Sequence, residues 1–136
     1  MTREEKQQFL AGAHVGVLAL TRAGAGPLTV PVWYDYEPGG ELWFITGRNS
    51  MKGRLLSAGT RISLCAQSET APYRYVSVEG PVTSLDPPGD ALLPMAVRYL
   101  GEEMGRMYAA GDSGEDSVLV RMQPQRWLAV DYGKAV

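Results

Sequence analysis

The chain has 136 residues, a formal net charge of -2, 45% hydrophobic and 21% charged residues, which suits one globular domain over 1–136 and argues against a disordered chain or a basic nucleic-acid binder. No apolar run approaches the roughly 18–20 residues of a membrane span, and the polar start MTREEKQQFL does not read as a signal peptide, so a cytoplasmic protein is expected, with no membrane and no nucleic acid among its partners. A single cysteine, Cys65, and a single histidine, His14, leave no disulfide framework and no metal site, and demanding chemistry would have to be borrowed from a cofactor.

Residues 3–11 read as a first helix, with Thr2 as N-cap, Glu5 completing a capping box and Gly12 closing it. Val15–Leu20 is β-branched and flanked by turn residues, so it is expected as a strand, followed by a loop over 21–27 and a second strand, Leu28–Tyr36. Pro31 cannot donate to a ladder and belongs at an edge or bulge. After the turn at 37–40, Leu42–Thr46 is the third strand, and its hairpin with 28–36 is the most secure expected pairing. Asn49 or Ser50 caps a helix over Met51–Ala58, stopped by Gly59.

Arg61–Gln67 and Tyr73–Leu85 are the next strands. The second alternates clearly, and Gly80-Pro81 marks a bulge or bend within it. Asp86-Pro87-Pro88-Gly89 breaks the chain before a helix over Ala91–Leu100, with Asp90 as its cap and Pro94 in its first turn. A second helix over Glu102–Ala110, a loop at 111–116, and two strands, Ser117–Met122 and Arg126–Tyr132, complete the pattern. Short strands at about ten-residue spacing with no repeated βαβ unit predict a mainly β fold, a small barrel with a few short helices at its ends or gaps.

The stretch TGRNSMKGRLL (46–56) carries the clearest chemical signal. It is a strand end, a tight turn and a helix start. Arg48, Lys52 and Arg54 stand where a helix dipole prefers acids, with the donors of Asn49 and Ser50 between them. Two readings are open: an anion site, or a solvated turn with ordinary surface cations. Trp33 and Trp43 read as core or interface residues, His14 as structural, and Cys65 as a small hydrophobe.

The segments VGVLAL (15–20), PVWY (31–34), LWFITGRNSMKGRLL (42–56), YRYVSVEGPV (73–82), RYLG (98–101) and PQRWLAVDYGK (124–134) give the chain a resemblance to the split β-barrel flavin-binding superfamily typified by pyridoxamine 5′-phosphate oxidase. More narrowly, it resembles the small deazaflavin (coenzyme F-420)-dependent reductases of that superfamily. The resemblance implies an FMN-binding split-barrel fold and a homodimer with two cofactors at the subunit interface. It places the cofactor phosphate on Thr46, Arg48, Asn49, Ser50, Lys52 and Arg54, and the ring along Pro31, Val32 and Trp33. It implies hydride transfer from reduced coenzyme F-420 to an unsaturated small-molecule substrate, with few acid or base side chains needed.

The same fold using FMN is the alternative, and a non-catalytic cofactor or small-molecule carrier is a third reading. The chain is short for a pyridoxamine 5′-phosphate oxidase and lacks the C-terminal extension expected of that enzyme, so vitamin B6 oxidation is not expected. Trp33, Trp43, Trp127 and the tyrosines exceed what one small barrel interior holds, which points several of them to the dimer interface. Arg22, in the loop after the first strand, is expected to lie away from the phosphate turn.

Overall fold

A computed structural model describes residues 1–134; Ala135 and Val136 of the expected 1–136 domain lie outside the described residues. The elements are α1 (Arg3–Ala11), β1 (Gly16–Leu20), β2 (Leu28–Val32), β3 (Asp35–Tyr36), β4 (Leu42–Gly47), α2 (Met51–Arg54), β5 (Arg61–Gln67), β6 (Arg74–Asp86), α3 (Leu92–Leu100), α4 (Glu102–Ala110), β7 (Ser117–Met122) and β8 (Arg126–Asp131). All ladders are antiparallel. The strands follow the order β2-β1-β5-β6-β7-β4-β3, and β8 lies on β6. The sheet curls into a split barrel with short helices at its openings.

Strand β6 is the hinge of this architecture. Arg74–Glu79 pairs with β8, and Val82–Asp86 pairs with β7. Between them the chain passes so close to Gln123 that a Cβ on Gly80 would stand 1.8 Å from the Gln123 carbonyl oxygen. Glycine is therefore required there for the close approach. Gly80 and Pro81 remain in register with Ile62 and Arg61 of β5, so the bulge expected at this dipeptide is displaced. The register shift falls between Val82 and Ser84 instead.

Alternation sets the core. Leu42, Phe44 and Thr46 of β4 point inward and meet Met122, Val120 and Val118 across the β4–β7 ladder. Leu18, Leu64, Val76 and Val78 are the matching inward residues on β1, β5 and β6, and all are buried. At the N-terminus the expected capping box is formed: Glu5 N donates to Thr2 Oγ1 at 3.1 Å, and Thr2 N donates to Glu5 Oε1 at 2.9 Å.

Five further expectations are corrected, and the one for Pro31 is met. The strand over Leu28–Tyr36 is broken at Trp33–Tyr34, because β2 pairs with β1 while β3 pairs with β4. The hairpin with 42–46 consequently shrinks to Asp35↔Trp43 and Tyr36↔Leu42, and β4 gives its whole length to β7. The helix over 51–58 ends at Arg54. Its last bonds tighten (Leu55 N to Lys52 O, Leu56 N to Gly53 O) and carry Leu56 into the core. Asp90 does not cap α3, which starts at Leu92 without a side-chain cap. Pro31 lies on edge strand β2 opposite Val17, where its missing donor costs no ladder bond. Arg126–Tyr132 ends one residue early, as Tyr132 opens a 3-10 turn.

Candidate functional site

The ends of β2 and β4 diverge beside α3 and α4 and leave a cleft of about 450 Å³, within the size range of small-molecule sites. One wall is Pro31, Val32 and Trp33, where β2 ends. A second is Thr46 and Gly47 at the end of β4, with Lys52 from α2. The helices contribute Met95 and Tyr108.

The second wall is built locally. Ser50 is the N-cap of α2: its Oγ donates to the Gly47 carbonyl at 2.7 Å and accepts from Gly53 N at 3.0 Å. Gly53 is buried so tightly on this turn that a Cβ would stand 2.0 Å from the Gly47 carbonyl oxygen. The turn is also tied outward, because Arg48 N donates to the Asp116 carbonyl at 2.7 Å. Thr46 is buried, and its hydroxyl is 3.4 Å from Ser50 Oγ. Lys52 thus reaches the cleft from a braced turn, and it forms no ion pair among the described residues.

Of the residues singled out in the sequence, Pro31, Val32, Trp33, Thr46 and Lys52 line this cleft. Arg48, Asn49 and Arg54 are exposed and do not, while Ser50 is spent on the turn. Two residues apart on α2, Lys52 and Arg54 fall on different faces, and α2 is only one turn long. The helix-dipole part of the anion argument weakens accordingly, and Lys52 carries most of the positive charge offered to the cleft. Arg22 is nearer than expected: its guanidinium NH1 reaches the Met51 sulfur at 4.0 Å, so it borders α2.

Sequence reasoning missed the helical side of the cleft. Met95 and Leu92, three residues apart on α3, carried the signal of an inward apolar stripe, but nothing in that stripe told core from cleft. Tyr108 lines the mouth at 49% exposure and stands 5.3 Å from the Trp33 ring. Trp127 is engaged within the subunit, edge-on to Tyr36 at 6.0 Å with Lys6 over its ring. Trp33 packs on Tyr99 and Tyr108, and the aromatics exposed at the surface are Tyr73, Tyr108 and Tyr132.

The titratable inventory stays sparse. Burial pushes the Cys65 thiol and the Tyr34 and Tyr99 phenols up, so all three are neutral at physiological pH. His14 is structural: it stacks on Phe9 at 4.3 Å and donates from Nε2 to the Phe9 carbonyl at 3.0 Å, and burial lowers its pKa. Among the described residues no three His, Cys, Asp or Glu side chains gather as metal ligands, and no helix is long and apolar enough to cross a membrane.

A family profile described as pyridoxamine 5′-phosphate oxidase matches residues 2–131. No curated protein matches the sequence. Among solved structures, the chain is similar to an F-420 reductase (23% identity, 90% of this chain and 94% of that one, TM-score 0.74). It is also similar to a conserved hypothetical protein of Mycobacterium tuberculosis (25% identity, 97% and 86%, TM-score 0.73). A third likeness is to an FAD- and heme-binding protein of Mycobacterium smegmatis (16% identity, 96% and 71%, TM-score 0.68). These likenesses, each spanning nearly the whole chain, show a shared fold.

Proposed function

Because this chain belongs to the pyridoxamine 5′-phosphate oxidase family, we propose that its cleft holds a flavin-type cofactor, that this cofactor is the deazaflavin coenzyme F-420, and that the protein is a reductase of unsaturated small molecules. The observation that carries the reading is the pairing of an aromatic wall and an unpaired cation around one space: Trp33 and Lys52 line the same cleft. Such a cleft suits a molecule with a flat ring at one part and a phosphate at another. Similarity to an F-420 reductase supports the deazaflavin over other flavins. Similarity to an FAD- and heme-binding protein supports the alternative, an ordinary flavin such as FMN instead of the deazaflavin.

In this reading Lys52 donates a charge-assisted hydrogen bond to the phosphate, and the braced Thr46–Gly53 turn holds the ammonium in position. Trp33 and Pro31 present an apolar edge against the ring. Tyr108 covers the mouth and keeps water from the space above it. When bound, the cofactor supplies the hydride, so the scarcity of acid and base side chains in the cleft is no obstacle.

The reading includes a cytoplasmic homodimer. Pro31, Val17, Cys65, Ser77 and Leu128 stand side by side across β2, β1, β5, β6 and β8 as one uncharged row, with Val17 42% and Leu128 59% exposed. A sheet face of this kind suits a second copy of the chain. Light scattering at micromolar concentration should return twice the chain mass, and the chain mass alone would sink the dimer.

The deciding experiment is titration of the purified protein with oxidised coenzyme F-420 and with FMN, followed by absorbance and fluorescence. Tighter binding of coenzyme F-420, and its oxidation when reduced cofactor is mixed with enone or quinone acceptors, is the expected result. Preference for FMN would select the alternative. Binding without turnover would leave a carrier, and binding of neither would end the flavin reading.

A further inference from the structure

We infer that Tyr99, with Arg98 beside it, is a positioning residue that sets the Pro31–Trp33 wall of the cleft from the helix behind it; the inference rests on the cofactor reading of that cleft. It starts from the break at Trp33–Tyr34. Here the chain leaves the β1 ladder and has not yet joined β4, so the Tyr34 backbone groups have no strand partner. Backbone groups in the protein interior need partners, and both find them on α3.

Tyr34 N donates to Tyr99 Oη at 3.0 Å, and the Tyr34 carbonyl accepts from Arg98 Nε at 3.1 Å. The single proton of Tyr99 Oη has two carbonyls in reach, His14 at 2.7 Å and Tyr34 at 2.8 Å. With Tyr34 O already served by Arg98, donation to His14 satisfies every group. Tyr99 therefore ties the approach to β1 to the end of β2 through one oxygen. The remaining guanidinium donors of Arg98 reach the Gly12 carbonyl at 2.8 Å and the Ala11 carbonyl at 3.1 Å, and its NH1 lies 3.3 Å from Asp35 Oδ1.

The same residue holds the side chain of the wall as well as its backbone. The Tyr99 ring lies 5.2 Å from the Trp33 ring with planes 7° apart, an offset stack. One face of the indole is thereby fixed on α3. A shift of α3 must carry the corner with it, because four carbonyls, one amide and one aromatic face move together. The cleft wall is thus set by a helix that also contributes Met95 to the lining.

Tyr99→Phe removes the hydroxyl and keeps the stack. Two measurements on the full-length protein test it. Hydrogen exchange of the Tyr34 amide should accelerate by about tenfold or more, while amides of the β4–β7 ladder hold. The affinity for whichever flavin the wild type binds should fall by roughly threefold to tenfold, and the circular dichroism induced in the bound chromophore should change, with the melting temperature lowered only slightly. Arg98→Lys, which keeps a charge beside Asp35 but loses the forked donors, should shift both readouts in the same direction and serves if Tyr99→Phe does not fold. Faster exchange with unchanged affinity and unchanged dichroism would make the clip merely structural and overturn the inference. Unchanged exchange would overturn it as well. A wild type that binds neither flavin would overturn the cofactor reading and this inference with it, whereas wild-type binding that ignores both substitutions overturns the positioning role alone.

Discussion

The two walls of the cleft are held in different ways. The turn after β4 is closed mostly by near neighbours: Ser50 bonds to Gly47 and Gly53, three residues to either side, and one longer tie runs from Arg48 N to the Asp116 carbonyl. The corner at Trp33–Tyr34 is held from a distance, by Tyr99 and Arg98 some 65 positions along the chain. A turn closed mostly by its own residues depends less on the rest of the barrel. A corner held by a helix inherits every displacement of that helix. The cation is therefore mounted on the stiff wall and the aromatic face on the adjustable one.

The sharpest break of this contrast is Gly53→Ala. An added methyl meets backbone oxygen at 2.0 Å and cannot be relieved by a side-chain rotation. Overpacking of this kind costs about 2–3 kcal/mol, a drop in melting temperature on the order of 10 °C, and flavin binding should be lost with it. A variant that melts like the wild type in calorimetry would show the turn to be softer than its geometry implies.

Lys52→Ala leaves the turn intact and removes only the charge. A charge-assisted bond to phosphate contributes roughly 1.5–3 kcal/mol, so flavin binding should weaken about 10- to 100-fold, with stability unchanged. Raised salt should weaken the wild type in the same direction. Arg126→Ala, on β8 and largely exposed, is a cleaner control than Arg22, which borders Met51. Equal losses at Lys52 and Arg126 would move the phosphate elsewhere.

Tyr34→Phe probes the root of the adjustable wall. The side chain is fully buried and its hydroxyl donates to the Leu10 carbonyl at 2.6 Å. Loss of that bond should cost about 1 kcal/mol, read by denaturant midpoint, with flavin affinity nearly unchanged because Tyr99 and Arg98 still hold the backbone.

The smallest expected effect is pH dependence through His14. Burial lowers its folded-state pKa below the ordinary histidine value of about 6.5. The neutral form is favoured in the fold, so its contribution to stability is complete above that value and declines as pH falls through 6.5 toward the folded value. His14→Gln should flatten the stability profile in that window; an unchanged slope would assign the acid limb to other groups.

Legibility in the sequence follows the same division. The Thr2–Glu5 capping box, the alternation of β5 and β6, and the Ser50 cap are set by neighbours within a few residues, and the sequence carries them openly. The pairing of β4 with β7 is decided by which inward row accepts Leu42, Phe44 and Thr46, and that row lies far along the chain. Lys52 and Trp33 were visible as chemistry, yet only the folded chain brings them to one cleft. Arg48, Asn49 and Arg54 share the phosphate turn with Lys52 in sequence, but spacing along the chain does not say which of them faces the cleft, and in the fold Lys52 is the one that lines it. Arg98 and Tyr99 entered only as part of the RYLG segment of the resemblance, with no role assigned, since their partners are backbone atoms of a corner that the strand pattern concealed.

The β4–β7 ladder joins Leu42 to Met122 and Gly47 to Ser117, and the cleft opens at its Gly47–Ser117 end. Closing so long a loop is entropically expensive, and such pairings form late. The β5–β6 pair needs only a short connection and can form early. In the order of folding, the binding cleft is therefore expected among the last features to form. A nascent or partly refolded chain can carry a formed β1–β5–β6 sheet and still have no place for a ligand. Recovery of binding during refolding should then lag behind recovery of sheet structure, and a ligand present from the start has nothing to hold until the barrel has closed.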